Sequence, residues 1–135
     1  MIKKIKYLDK IIRFSDEGEG KVIVLLHGYL ESLDIFEDFA KNLSVLFRTI
    51  SIDLPGHGKT DVFDEIHTMD FMAEVVFEVL KSENIEKCTI IAHSMGGYVA
   101  LSFLEKYPEK LNGFSLFHSS PFADNEVKKT ARSLT

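Results

Sequence analysis

The sequence predicts an α/β fold, a three-layer sandwich with a mostly parallel sheet and helices on both faces. Three observations lead there. Continuous apolar runs, Val22 to Leu26 and Thr89 to Ala92, suit strands buried on both faces, as parallel sheets require. Stretches with apolar residues at helical spacing alternate with the strand-like runs. The Thr89 run passes through His93 into Ser94, then Met95-Gly96-Gly97 and a helical pattern, so a serine stands at a sharp strand-to-helix corner. Small residues two before and two after it, Ala92 and Gly96, let that corner close. The following helix aims its first free N–H groups at the same spot, which favours developing negative charge.

The 135 residues, 45% hydrophobic and 27% charged, make at most one ordinary globular domain. A net charge of −5, with no concentration of Lys and Arg, argues against a nucleic-acid partner. Cys88 is the sole cysteine, so no internal disulfide is possible and a reducing, cytoplasmic location is expected. Cys88 lies at the edge of an apolar run and reads as a small core residue. The basic start, Met1 to Lys4, has no apolar stretch after it, so neither a secretion signal nor a membrane span is expected.

In chain order, Ile2–Leu8 and Ile11–Ser15 read as an antiparallel pair at a sheet edge, and Asp16 to Gly20 as a turn. Val22–Leu26 is a buried strand that runs into His27-Gly28-Tyr29. Ile35, Phe36, Phe39, Ala40 and Leu43 predict a helix over Leu33–Leu46. Arg48–Ile52 is a strand ending in Asp53-Leu54-Pro55-Gly56-His57-Gly58-Lys59-Thr60, a tight loop. An Asp53–His57 catalytic pair is conceivable there, but turn formation already accounts for these residues. The loop lacks the spacing of a phosphate-binding loop. Asp61 to His67 is a polar connection, with His67 at the surface. Phe71, Met72, Val75, Val76, Val79 and Leu80 give the next helix one apolar stripe. Lys87–Ala92, the corner at Ser94, a helix over Met95–Tyr107 stopped by Pro108, and a strand over Leu111–His118 complete the order. Ser119-Ser120-Pro121 breaks that strand, and Asp124 can cap a helix beginning at Asn125.

These motifs resemble the α/β-hydrolase fold superfamily over nearly the whole chain. The corner matches its nucleophile elbow, Gly-x-Ser-x-Gly, with Ala92 in place of the first glycine. The 53–60 loop matches Asp-x-Pro-Gly-His-Gly-x-Ser, with Thr60 as the last residue. The resemblance implies that Ser94 is the catalytic nucleophile. It implies that His27-Gly28 opens the oxyanion-hole loop, with the backbone N–H groups of Tyr29 and Met95 as the two donors. His27, Gly28, His93 and Gly96 then support the site, with His93 packing and His27 structural. The competing reading makes Ser94 a helix cap and nothing more.

In this fold the acid and then the histidine follow the serine. After Ser94 the chain has one histidine, His118, and it precedes the best-placed acid, Asp124, so the order is reversed. Asp124 stays a candidate triad acid, and His118 a weaker candidate base. The expectation is therefore the N-terminal part of a hydrolase core over residues 1–120, with 121–135 starting a cap segment. The missing C-terminal half or a second chain would cover the sheet edge. The implied function is a serine hydrolase that cleaves carboxylic ester or related acyl bonds of a small-molecule substrate, without metal or cofactor. Ser94 excludes relatives that use an aspartate nucleophile. It leaves thioesterases, carbon–carbon bond hydrolases, iminopeptidase-type peptidases and serine-dependent lyases open. The alternative is an inactive fragment or a binding module that keeps the fold without the chemistry.

Overall fold

In a computed structural model, residues 1–64 and 67–117 are described. Asp124, His118 and the proposed cap over 121–135 lie outside them. Six strands form one sheet in the order β1-β2-β4-β3-β5-β6. They are β1 (Ile2–Tyr7), β2 (Lys10–Glu17), β3 (Val22–Leu26), β4 (Arg48–Ile52), β5 (Cys88–His93) and β6 (Leu111–Phe117). β4, β3, β5 and β6 are mutually parallel, whereas β1 and β2 are antiparallel additions at one edge. The β1–β2 hairpin turns at Leu8 and Asp9, both at positive φ (51° and 63°), the backbone whose twist matches the strands.

The alternation of side chains along the strands makes two cores. Val24, Leu26, Ile50 and Ile52 face α2 (Met69–Ser82) and α3 (Met95–Lys106), among Val76, Val79, Val99 and Phe103. Ile23 and Leu25 face the other way, onto Phe36 and Ala40, the latter in α1 (Glu37–Leu43). The chain leaves β3 in one direction to reach β4 and crosses to the other side of β3 for β5. Crossovers of one hand that run in opposite directions place their helices on opposite faces. That gives the three layers, and it makes the carboxyl ends of β3 and β5 the topological switch point, the place where open α/β sheets bind ligands.

Several boundaries differ from expectation. Asp16 and Glu17 continue β2 instead of turning, because they pair with Ile50 and Thr49 of β4. Arg48 also donates two hydrogen bonds to the Asp16 carboxylate, at 2.9 and 2.7 Å. The expected helix over Leu33–Leu46 is a 3₁₀ turn, Leu33–Phe36, followed by the short α1. It ends early because the Ser44 hydroxyl bonds back to the Ala40 carbonyl (2.6 Å) and to Thr49 Oγ1 (2.8 Å). Val45 and Leu46 are left in solvent. His67 is half-buried, not a surface residue: its Nε2 accepts the N–H groups of Phe63 (3.0 Å) and Asp64 (3.3 Å), and its ring stacks on Phe71. Cys88 is buried in the core as expected.

Candidate active site

Ser94 sits between β5 and α3 at φ 53°, ψ −117°, a conformation that residues with a Cβ rarely hold and that costs roughly 1–3 kcal/mol. Backbone strain of this kind persists only where the surroundings enforce it. They do so at Gly96, where an added Cβ would come within 2.6 Å of the Leu26 carbonyl oxygen and 2.7 Å of that of His27. The elbow is thus pressed against the end of β3, and only glycine leaves room. Although Ser94 occupies the N-cap position of α3, its side chain makes no capping hydrogen bond. The helix-cap account of this serine therefore fails. The residue is half-buried at the sheet's end. Met95 is the first residue of α3, so its N–H has no intrahelical acceptor.

The loop after β3 closes over the same corner. A Cβ at Gly28 would lie 3.0 Å from Ser94 Cβ and 3.1 Å from His93 Nδ1. Gly28 to Glu31 form a turn closed by the Glu31 N–H on the Gly28 carbonyl (3.2 Å), with Leu30 at φ 62°. That turn swings the Glu31 side chain back. Its Oε1 accepts the Gly28 N–H at 2.6 Å and the His93 Nδ1–H at 2.8 Å. Tyr29 is 68% exposed, its ring edge against His57. Among the described residues no acceptor meets the Tyr29 N–H.

His27 is fully buried. Its Nε2 accepts the Leu54 N–H (2.9 Å), so the proton sits on Nδ1 and goes to the Gly28 carbonyl (2.8 Å). Burial holds its pKa below the usual value, and the neutral ring ties β3's end to the loop after β4. Both of its ring nitrogens are spent on backbone groups.

Asp53 makes no bond to His57. Its carboxylate accepts Arg13 Nε (2.7 Å), Lys59 N–H (2.8 Å) and Leu33 N–H (2.8 Å). His57 instead places Nδ1 on the Pro55 carbonyl (3.1 Å). The Asp53–His57 pair is therefore no catalytic dyad. Asp53 braces the turn after the Gly28 loop on one side and the Gly56–Thr60 loop on the other. None of His27, His57, His67 and His93 is bonded to the Ser94 hydroxyl. Among the described residues, no group of His, Cys, Asp and Glu is arranged to hold a metal ion.

Sequence reasoning missed Glu31 and Arg13. The only sequence signal for Glu31 is its place three residues after Gly28; its second partner is 62 positions away.

A serine at positive φ on a strand-to-helix corner, at the switch point of a mostly parallel sheet, defines the α/β-hydrolase class of fold. The chain belongs to the alpha/beta hydrolase fold family, whose model matches residues 21–131. It is 32% identical over 126 residues to 2-hydroxy-6-oxononadienedioate/2-hydroxy-6-oxononatrienedioate hydrolase of Escherichia coli, covering 82% of this chain and 44% of that protein. It is 31% identical over 135 residues to Protein PHYLLO, chloroplastic, of Arabidopsis thaliana, covering 92% of this chain and 8% of that protein. A solved structure of a thermophilic esterase from Thermogutta terrifontis superposes with a TM-score of 0.78 at 29% identity, over 98% of this chain and 53% of the other. The chain thus spans about half, or less, of the length of these relatives. No helix among the described residues is long and apolar enough to cross a membrane.

Proposed function

We propose that the protein is a serine hydrolase that cleaves carboxylic ester or related acyl bonds through an acyl-enzyme on Ser94. The observation that carries this reading is the strained, uncapped Ser94 at φ 53°, held by glycines on both neighbouring segments. A serine used only as a cap would spend its hydroxyl on the helix N-terminus. In this reading Ser94 Oγ attacks the substrate carbonyl, and the N–H groups of Tyr29 and Met95 receive the developing oxyanion. Each such donor lowers the barrier by about 3–4 kcal/mol. The intermediate collapses by breaking the bond to the leaving alcohol, which departs with the proton the base took from Ser94. Water then cleaves the acyl-enzyme to release the acid and restore the serine.

A serine hydroxyl needs a base to take its proton. The four described histidines are engaged elsewhere, so the reading takes the acid and histidine from outside the described residues. Asp124 remains a candidate acid. The outer edge of β6, unpaired among the described residues, is assigned to a further segment or a second chain. A solution mass of a lone 15.4 kDa monomer would count against that assignment.

A second reading puts the same serine on a carbon–carbon bond beside a ketone. The Escherichia coli relative favours it, because the substrate in its name carries a ketone and carboxylates but no ester. The test is p-nitrophenyl acetate against a 2-hydroxy-6-oxo-dienedioate, each with wild type and Ser94→Ala. Ester turnover that needs Ser94 supports the first reading, and ketone cleavage that needs Ser94 supports the second. Equal rates for serine and alanine forms on both substrates would remove both.

A further inference from the structure

The Glu31 carboxylate joins two segments that must stay in register for a serine hydrolase to work. One Oε1 takes both the N–H of Gly28, in the loop after β3, and the Nδ1–H of His93, the residue before Ser94. Both side chains are under a third exposed, 29% for Glu31 and 30% for His93. An ionised oxygen that accepts two N–H groups gives short, strong hydrogen bonds, here 2.6 and 2.8 Å. Gly28 itself lies against the serine, since a Cβ there would be 3.0 Å from Ser94 Cβ. The bridge therefore spans the gap between the oxyanion loop and the elbow at the point where the two meet.

We propose that Glu31 is a positioning residue that latches the Gly28–Leu30 loop to the elbow and so sets the distance between the Tyr29 N–H and Ser94. By occupying the Gly28 N–H, it also leaves Tyr29 as the loop amide that faces substrate. The latch rests on the reading of Ser94 as nucleophile. It needs an acceptor oxygen at that reach and does not need its charge for catalysis. Glu31→Gln keeps an oxygen that accepts both N–H groups. Glu31→Ala removes it, and Glu31→Asp falls one methylene short.

Two measurements on the purified protein test this. The first is hydrogen exchange of the Gly28 amide. It speeds up in Glu31→Ala and stays near wild type in Glu31→Gln. The second is turnover of p-nitrophenyl acetate. Glu31→Ala lowers kcat about tenfold through loss of alignment, with KM little changed, and Glu31→Gln restores most of the rate. If Glu31→Ala does not fold, Glu31→Asp carries the same expectations. Wild-type exchange at Gly28 in the alanine or aspartate form overturns the latch, whether or not Ser94 proves to be the nucleophile. So does an unchanged kcat where wild-type turnover depends on Ser94. Turnover indifferent to Ser94 sinks the nucleophile reading alone, and the Gly28 amide still decides the latch.

Discussion

A Cβ on Gly96 would sit 2.6 Å from the carbonyl oxygen of Leu26, so the first turn of α3 lies directly against the end of β3. Two backbone segments that close cannot part without moving the serine between them. Gly96→Ala should therefore displace the elbow, with a cost of about 1–3 kcal/mol from overpacking. Urea unfolding checks the cost. Whatever protein stays folded should also react more slowly at Ser94 with an acylating ester.

Asp53 is fully buried and spends its carboxylate on the Arg13 guanidinium and two backbone N–H groups. Breaking a buried pair by removing one partner costs about 3–5 kcal/mol, because the other charge stays behind unpaired. Asp53→Ala should lose stability on that scale in denaturant melts. His57→Ala should leave reaction at Ser94 largely intact, since the pair is no dyad. A collapse of activity with stability unchanged would reverse that conclusion.

Asp16 should set the acid limb of stability. The Arg48 guanidinium, then the Lys3 ammonium, hold its carboxyl well below the usual range; Glu83 bonds to the same two cations. A carboxyl depressed on folding contributes fully above its unfolded pKa near 4, and that contribution is lost as pH falls through the folded value. Unfolding midpoints taken from neutral pH into the acid range should fall below about pH 4. Asp16→Asn should be less stable at neutral pH and should flatten that acid slope. An unchanged slope would assign it to other groups.

Cys88 should be inert while the protein is folded. Burial pushes its thiol up to about 12, so almost no thiolate forms at neutral pH. Ellman's reagent should find no reactive thiol in the native protein and one in denaturant. Rapid native labelling would contradict the packing of β5.

The strands and helices could be read from sequence because their burial is written locally. Val22 to Leu26 is apolar at every position, as a central parallel strand must be, and Met72 to Leu80 repeats at helical spacing. The elbow was readable for a similar reason: a strand, a serine, two glycines and a helix adjoin in the chain. What sequence hid depends on contacts between distant residues. Glu31 looks like one loop acid among many until the fold brings His93 to it. Arg13 belongs to an alternating edge strand until Asp53 arrives from 40 positions away. Ser44 ends α1 through Thr49, on a strand not yet begun. His67 reads as a surface residue because its two donors, Phe63 and Asp64, precede it in a polar stretch.

The central claim is that the Ser94 hydroxyl is an activated nucleophile. The most direct measurement is an intact mass and peptide map after treatment with a fluorophosphonate, on wild type and on Ser94→Ala. The account predicts a single adduct, carried by Ser94 and missing from the alanine form. No adduct on wild type, or an adduct of equal yield in both forms, would contradict it.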